Sequence, residues 1–235
     1  MDLARRVRPL LVVLSGLVAA ACGTVVLAGW CFRLPGLTDF GSRRVPMAPS
    51  TALLFVVLGL ATAVAARREA PRAAFTWAVL LVTAASAALL VSGLLGYTPS
   101  VEHLGLRVEG QVAGLPVGHM SPITAAAFLL VSGGLLAGAG RPGARRRLAT
   151  ALGLVVIAGS GLFLLAYFSG APLFYGQGLI PPAAPTSAAF LALGAGLVVL
   201  SRRDAPIRDE AARLPPLTAA VLLGLFLVLA GGILL

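Results

Sequence analysis

Residues 120–128 read Met120-Ser-Pro-Ile-Thr-Ala-Ala-Ala-Phe128, and they open an apolar segment that ends at Arg141. The same pattern appears earlier as Met47-Ala-Pro-Ser-Thr-Ala-Leu-Leu-Phe55 and later as Ala183-Ala-Pro-Thr-Ser-Ala-Ala-Phe190. Each copy predicts the start of a helix, because proline suits the first turn and a nearby hydroxyl can serve its unpaired N–H groups. The three copies therefore predict an internal repeat with a period of 73 and then 63 residues.

The composition is that of a membrane protein. The chain has 235 residues, of which 59% are hydrophobic and only 11% are charged. Several apolar runs reach the length of about 20 residues that a membrane-spanning helix needs. All 18 basic residues are arginines, and they lie in short clusters between the apolar runs. This placement indicates membrane topology rather than binding to nucleic acid, and the lipid bilayer is the expected partner.

Proline, glycine and arginine positions divide the chain into seven predicted spans. They predict an all-α integral membrane protein with three parallel helical-hairpin repeats, at residues 9–72, 73–147 and 148–213, plus one extra helix at residues 214–235. The N-terminus and alternate loops carry 14 of the 18 arginines, so the N-terminus is expected in the cytoplasm and the proline motifs on the outer side. The last span ends without a polar or aromatic boundary, so we expect the protein to continue beyond Leu235.

The outer halves of the helices are the predicted place for a ligand. Helix N-termini carry partial positive charge, and three of them converge there beside aromatic rings. Such a pocket suits a small, flat or weakly anionic molecule. Its predicted lining is Thr51, Thr124, Ser187, Trp30, Tyr97, Tyr167 and Tyr175. The alternative interpretation is that the aromatic side chains only anchor the membrane interface.

The longer outer loop, residues 97–121, holds the candidate metal ligands. They are Glu102, His103, Glu109, His119 and Met120, with Met47 at the equivalent position of the first repeat. Imidazole, carboxylate and thioether groups bind copper or zinc, so His103 and His119 are candidate metal ligands. Their spacing is not diagnostic, and solvated loop residues or a histidine pH sensor are the alternatives.

The predicted spans lack the side chains that several classes of membrane protein and enzyme need. No predicted span contains an ionisable Asp, Glu, His, Lys or Arg side chain, which disfavours ion-coupled transport, proton pumping and voltage sensing. The serines in the spans have no His or Asp nearby in sequence, and no phosphate-binding or metalloprotease motif occurs. The segment is therefore expected to be neither an enzyme nor a cofactor-binding protein.

Three segments resemble the multi-span N-terminal regions of bacterial sensor histidine kinases and diguanylate cyclases. They are Leu95-Gly-Tyr97, Met120-Ser-Pro-Ile-Thr-Ala125 and Ala171-Pro-Leu-Phe-Tyr-Gly176, within a resemblance that covers about residues 10–203. The resemblance implies a sensory input module of the bacterial inner membrane that signals to cytoplasmic kinase or cyclase domains, as in two-component systems. It also implies a homodimer through the seventh span and downstream domains.

This sequence departs from that family because it contains no output domain. Two other functions therefore stay open. One is a small carrier or binding protein for a neutral or lipophilic solute, and the other is a structural subunit of a larger membrane complex.

Overall fold

A computed structural model describes residues 2–41, 45–66, 72–108, 110–112, 115–138, 143–169 and 181–202. The helices in these ranges are α1 (Asp2–Cys31), α2 (Pro35–Thr38), α3 (Pro49–Ala65), α4 (Arg72–Leu94), α5 (Pro122–Gly138), α6 (Ala144–Phe168) and α7 (Ala184–Ser201). A 3₁₀ helix, Ser100–His103, and an antiparallel pair of two-residue strands, β1 (Gln111–Val112) and β2 (Leu115–Pro116), lie between α4 and α5. The described part of the chain is thus almost entirely helical.

Helices α3, α5 and α7 begin at the three repeated prolines. Pro49 and Pro122 are the first residues of α3 and α5, and Pro185 is the second residue of α7. The predicted helix starts are therefore confirmed. Side-chain capping is less regular than the pattern suggests, because the residues before α3 and α7 are alanines without a capping hydrogen bond. Only before α5 does a hydroxyl serve this role, where Ser121 Oγ accepts the N–H of Thr124 at 3.2 Å.

The long helices pack in antiparallel pairs that we call the first hairpin (α1 and α3), the second hairpin (α4 and α5) and the third hairpin (α6 and α7). The second helix of each hairpin also contacts the first helix of the next: α3 packs on α4, α5 on α6 and α7 on α1. The same contact thus recurs around the bundle. We call the end where α3, α5 and α7 begin the proline end, and the opposite end the arginine end.

Three phenylalanines, one from each copy of the motif, meet between α3, α5 and α7, which we call the inner helices. Each pair of ring centroids formed by Phe55, Phe128 and Phe190 is 4.7 Å apart. None of the three side chains is more than 2% exposed. Tilted and edge-to-face contacts of this kind are favourable beyond the area they bury. The repeated phenylalanine therefore marks the centre of the bundle.

Small residues allow close helix crossings in the first and third hairpins. A Cβ atom on Gly16 of α1 would lie 2.5 Å from the carbonyl oxygen of Gly59 in α3. Gly153 of α6 and Gly194 of α7 approach each other in the same way. A Cβ atom on Gly194 would lie 3.0 Å from the carbonyl oxygen of Gly153. Packing through small residues is the expected means of association for helices in lipid, where the hydrophobic effect gives no drive.

Four described helices are long and apolar enough to cross a membrane: Val7–Cys31 within α1, Ala73–Leu94 within α4, Ala144–Phe168, and Ala184–Ser201. The apolar helices Pro49–Ala65 and Pro122–Gly138 are 17 residues each. The predicted seventh span, residues 214–235, lies outside the described residues. An all-helical protein with membrane-spanning helices is therefore supported, whereas the count of seven spans and the three repeat boundaries stay predictions.

Candidate functional site at the proline end

A sharp turn in the loop between α4 and α5 buries an acidic side chain. The 3₁₀ helix Ser100–His103 follows Pro99 and ends at Leu104, whose φ of 53° is left-handed. The N–H of Leu106 then donates to the carbonyl oxygen of His103 at 2.9 Å, so the chain reverses. The turn directs Glu102 into the protein, where the residue is only 4% exposed, as little as many residues of the hydrophobic core.

The Glu102 carboxylate joins two segments that lead into inner helices. Its Oε2 atom accepts the N–H of Met120 at 2.5 Å and receives a longer contact, 3.5 Å, from the hydroxyl of Ser50 in the first turn of α3. Its Oε1 atom lies 3.2 Å from Nδ1 of His119. A buried carboxylate is costly unless it is paired and hydrogen-bonded, and these three partners meet that need.

His103 completes the cluster. Its ring lies 4.7 Å from the ring of His119, centroid to centroid, with a tilt of 46°. Its Nε2 atom is buried and has no hydrogen-bond partner among the described residues. Burial lowers the pKa of His103 below its ordinary value and the neighbouring His119 lowers it further, while Glu102 opposes both effects. His103 is therefore biased towards the neutral form. We call Glu102, His103 and His119 the polar cluster.

The predicted metal ligands do not form a metal site in the described part of the chain. No group of three or more His, Cys, Asp or Glu side chains there has the arrangement that a metal ion needs. The thioethers of Met47 and Met120 belong to the hydrophobic core instead. Glu109 lies outside the described residues. The two histidines are thus brought together: His119 contacts the Glu102 carboxylate, and His103 packs against the ring of His119.

The predicted ligand-lining residues fall into two groups. Thr51, Thr124 and Ser187 are buried in the first turns of the three inner helices, none more than 3% exposed. Of the aromatic residues, Trp30 and Tyr167 are half-buried, Tyr97 is 64% exposed, and Tyr175 lies outside the described residues.

Trp30 has a definite structural role. Its indole N–H donates to the carbonyl oxygen of Met47 at 2.8 Å, and the N–H of Met47 donates to the carbonyl oxygen of Thr38 at 2.9 Å. Met47 and Met120 occupy the same position in the repeated motif. The segment before α3 is therefore held by neutral hydrogen bonds, and the segment before α5 by a carboxylate.

Sequence reasoning missed Ser50 as a member of the site. The signal was present, because Ser50 lies between the proline and Thr51 of the repeated motif. Its partner is 52 residues away in sequence, however, and no local spacing identifies that contact.

The fold and site define an all-helical protein with membrane-spanning helices and a buried polar cluster at one end of the bundle. No protein-family model, curated protein or solved structure matches the chain. Its function is therefore argued from the polar cluster and the helices to which it is attached.

Proposed function

We propose that the chain is a membrane-embedded sensory module that receives its stimulus at the polar cluster and passes it to the arginine end. The observation that carries this proposal is the double attachment of Glu102, to Ser50 at the start of α3 and to Met120 just before α5. A change in the charge of the polar cluster alters contacts at the start of two inner helices at once. Packed helices can convert such a change into a shift between two arrangements.

The proposed membrane arrangement has the proline end outside and the arginine end in the cytoplasm of a bacterial inner membrane. The distribution of arginines supports this orientation, and the recurring contacts between hairpins support three repeats around one axis. The 17-residue helices α3 and α5 are about 26 Å long, slightly short of a bilayer core of about 30 Å. Such a mismatch is tolerated through local thinning of the bilayer, at a modest cost.

The signal would pass to a cytoplasmic signalling domain, as the resemblance to sensor kinases and cyclases implies. Helices α6 and α7 are joined near the arginine end by the hydroxyls of Thr150 and Ser201, 2.7 Å apart, which ties their ends together. A homodimer through the predicted seventh span would present two such ends to the output domains.

A carrier for a neutral solute is the less favoured function. Phe55, Phe128 and Phe190 fill the centre of the bundle between the inner helices. A solute crossing along this axis would have to separate all three rings. The packed centre therefore favours a relay through helix movement over a path through the bundle.

The proposal is tested by measuring movement at the arginine end while the polar cluster is changed. In a variant with Cys22→Ala and Cys31→Ser, spin labels on cysteines at the exposed positions Ala73 and Ala144 report the distance between α4 and α6. We expect the distance distribution in lipid nanodiscs to change between about pH 8 and about pH 5, the range in which histidines titrate. Glu102→Gln should remove this response.

The matched control is Ser100→Ala, an exposed change on the same 3₁₀ helix, which should leave the response intact. A distance distribution that depends neither on pH nor on Glu102→Gln would contradict the sensory proposal. A solute flux through liposomes that contain only this chain would support the carrier instead.

A further inference from the structure

A cavity of about 480 Å³ lies at the proline end. It is formed between the loop that follows α1 and the loop that precedes α5, and its volume falls in the usual range for small-molecule sites. The polar and aromatic side chains in its lining are Trp30, Arg33, Thr38, Asp39, Arg107 and Gln111. The cavity thus combines a flat indole with charged groups from both loops.

Positive charge predominates in the cavity lining. Arg33 and Arg107 supply two guanidinium groups against the single carboxylate of Asp39. The carboxylate already accepts the N–H of Gly41 at 2.8 Å through Oδ1. Neither arginine forms an ion pair with an acidic side chain of the described residues. Both arginines are solvent-exposed, and an anion in the cavity would be attracted by both.

Arg33 reaches this position through an uncommon backbone conformation. It follows α1 with a φ of 56°, where the N–H of Leu34 donates to the carbonyl oxygen of Gly29 at 2.8 Å. Glycine is the usual residue at such a helix end, and a side chain there is strained. This helix end leads α1 into the loop that lines the cavity and places Arg33 in that lining.

We infer that this cavity binds a small organic anion, with its charged group on Arg33 and Arg107 and its flat body against the indole of Trp30. Guanidinium groups bind carboxylate and phosphate oxygens in pairs of parallel hydrogen bonds. The Trp30 ring offers an apolar face to a planar group. The carboxylate of Asp39 disfavours a second negative charge, so the cavity selects monoanions over dianions.

The inference rests on the proposed sensory function and supplies its ligand. Trp30 donates to the carbonyl oxygen of Met47, two residues before α3. On the other side, the cavity is lined by Val117, which is two residues before His119 in the sequence. The N–H of Val117 donates to the carbonyl oxygen of Gly110 at 3.3 Å. An anion in the cavity would fix both loops together and so bias the starts of α3 and α5.

Intrinsic fluorescence of Trp30 tests the inference directly. The chain has two tryptophans, and Trp77 is 72% exposed on α4, so Trp77→Phe leaves Trp30 as the single reporter. Benzoate is the planar anionic probe, benzamide its neutral counterpart, and inorganic phosphate an anion without a ring. In nanodiscs of zwitterionic lipid, we expect a saturable change with benzoate and a much weaker one with benzamide. Arg33→Gln and Arg107→Gln should each weaken benzoate binding by about tenfold or more.

The matched control is Arg147→Gln, an exposed arginine on α6 that does not line the cavity, and it should leave benzoate binding unchanged. Equal affinity for benzamide, or unchanged affinity in both cavity variants, would overturn the inference, as would the lack of a saturable change with benzoate or a stronger response to phosphate than to benzoate. Anionic lipid in the nanodiscs distinguishes two sources of the anion. Competition that requires Arg107 supports the site and assigns it to a lipid headgroup, whereas no competition assigns it to a free anion.

The outcome is separable from that of the proposed function. Loss of anion binding in Arg107→Gln, with the spin-label response to pH retained, would leave the sensory proposal standing. Anion binding without any movement at the arginine end would retain the site and contradict the relay.

Discussion

The first and second hairpins contain the same repeated motif but secure it by different chemistry. In the first hairpin, neutral hydrogen bonds from Trp30 to Met47 and from Met47 to Thr38 hold the segment before α3. In the second, the Glu102 carboxylate holds Met120 and contacts His119. The first attachment consists of neutral groups, whereas the second contains a carboxylate and an imidazole. The segment before α3 thus has a neutral attachment and the segment before α5 a charged one, which also reaches Ser50 in the first turn of α3.

The helix crossings of the two hairpins differ as well. Gly59, four residues after Phe55, lies against the backbone of α1, and Ser132 takes the same position after Phe128. The Ser132 hydroxyl is fully buried without a hydrogen-bond partner in the described part of the chain, as is the hydroxyl of Ser86 in α4. The helices of the first hairpin therefore cross in direct backbone contact, whereas the corresponding position of the second hairpin holds a serine whose buried hydroxyl has no described partner.

The largest expected effect comes from giving the first hairpin the residue of the second. In Gly59→Ser, the new Cβ atom would lie 2.5 Å from the carbonyl oxygen of Gly16 and 2.7 Å from the nitrogen of Ala20. Both neighbours are backbone atoms, so the helices must separate, at a cost of about 3 kcal/mol. Ser132→Ala, in contrast, removes an unpaired buried hydroxyl and should be nearly neutral.

The measurement is the temperature at which a thiol-reactive fluorophore labels the buried Cys22 in a Cys31→Ser background. Gly133→Ala is the control, because a Cβ atom there meets nothing within 4 Å. Equal losses in Gly59→Ser and Ser132→Ala would show that the two crossings do not differ.

Features that depend on residues close together in the sequence can be predicted from it, and those that depend on distant residues cannot. The prolines at 49, 122 and 185 mark helix starts correctly because N-terminal helix signals are local. Burial of Glu102 depends on the left-handed turn at Leu104 and on Ser50, which is 52 residues distant in sequence. No periodic pattern encodes such a contact, so the sequence predicts only a loop whose two histidines have no diagnostic spacing.

The arginines of the cavity illustrate the same limit. Arg33 and Arg107 stand apart in the sequence only as exceptions to the arginine distribution, because they lie in loops expected outside. Their joint contribution to one cavity follows from the packing of two loops that are more than 70 residues apart along the chain. The count of arginines therefore predicts orientation, and tertiary structure alone identifies a binding site.

A smaller loss is expected when the charged attachment of the second hairpin is weakened. Glu102→Gln preserves shape but replaces the charge-assisted contacts with Met120 and His119 by neutral ones. We expect the free energy of unfolding to fall by about 2 kcal/mol near neutral pH. The Cys22 labelling temperature measures this change, with Ser100→Ala as the control. A stability equal to that of the unmodified chain would show that the carboxylate is not needed to hold the loop.

Removal of the neutral attachment in the first hairpin should cost less. Trp30→Phe deletes the indole N–H that donates to Met47 and keeps an aromatic ring in place. A hydrogen bond between neutral groups contributes about 1 kcal/mol. The same labelling assay should show an equal loss at about pH 8 and at about pH 5, because no group in this attachment titrates in that range. A loss that grows at the lower pH would contradict the division into a neutral and a charged attachment.

The smallest expected effect is the pH dependence that His103 contributes to the second hairpin. Burial and the positive charge of the neighbouring His119 lower the pKa of His103 in the folded protein below its unfolded value of about 6.5, against the opposing effect of Glu102. Below that pH the unfolded chain binds more protons than the folded chain, so stability falls as the pH is lowered. The contribution is fully present above about pH 6.5 and is lost as the pH falls towards the lowered pKa. His103→Asn should flatten this part of the pH profile without changing stability at about pH 8, whereas Trp30→Phe should leave its slope unchanged. An identical slope in His103→Asn and the unmodified chain would exclude His103 as the titrating group.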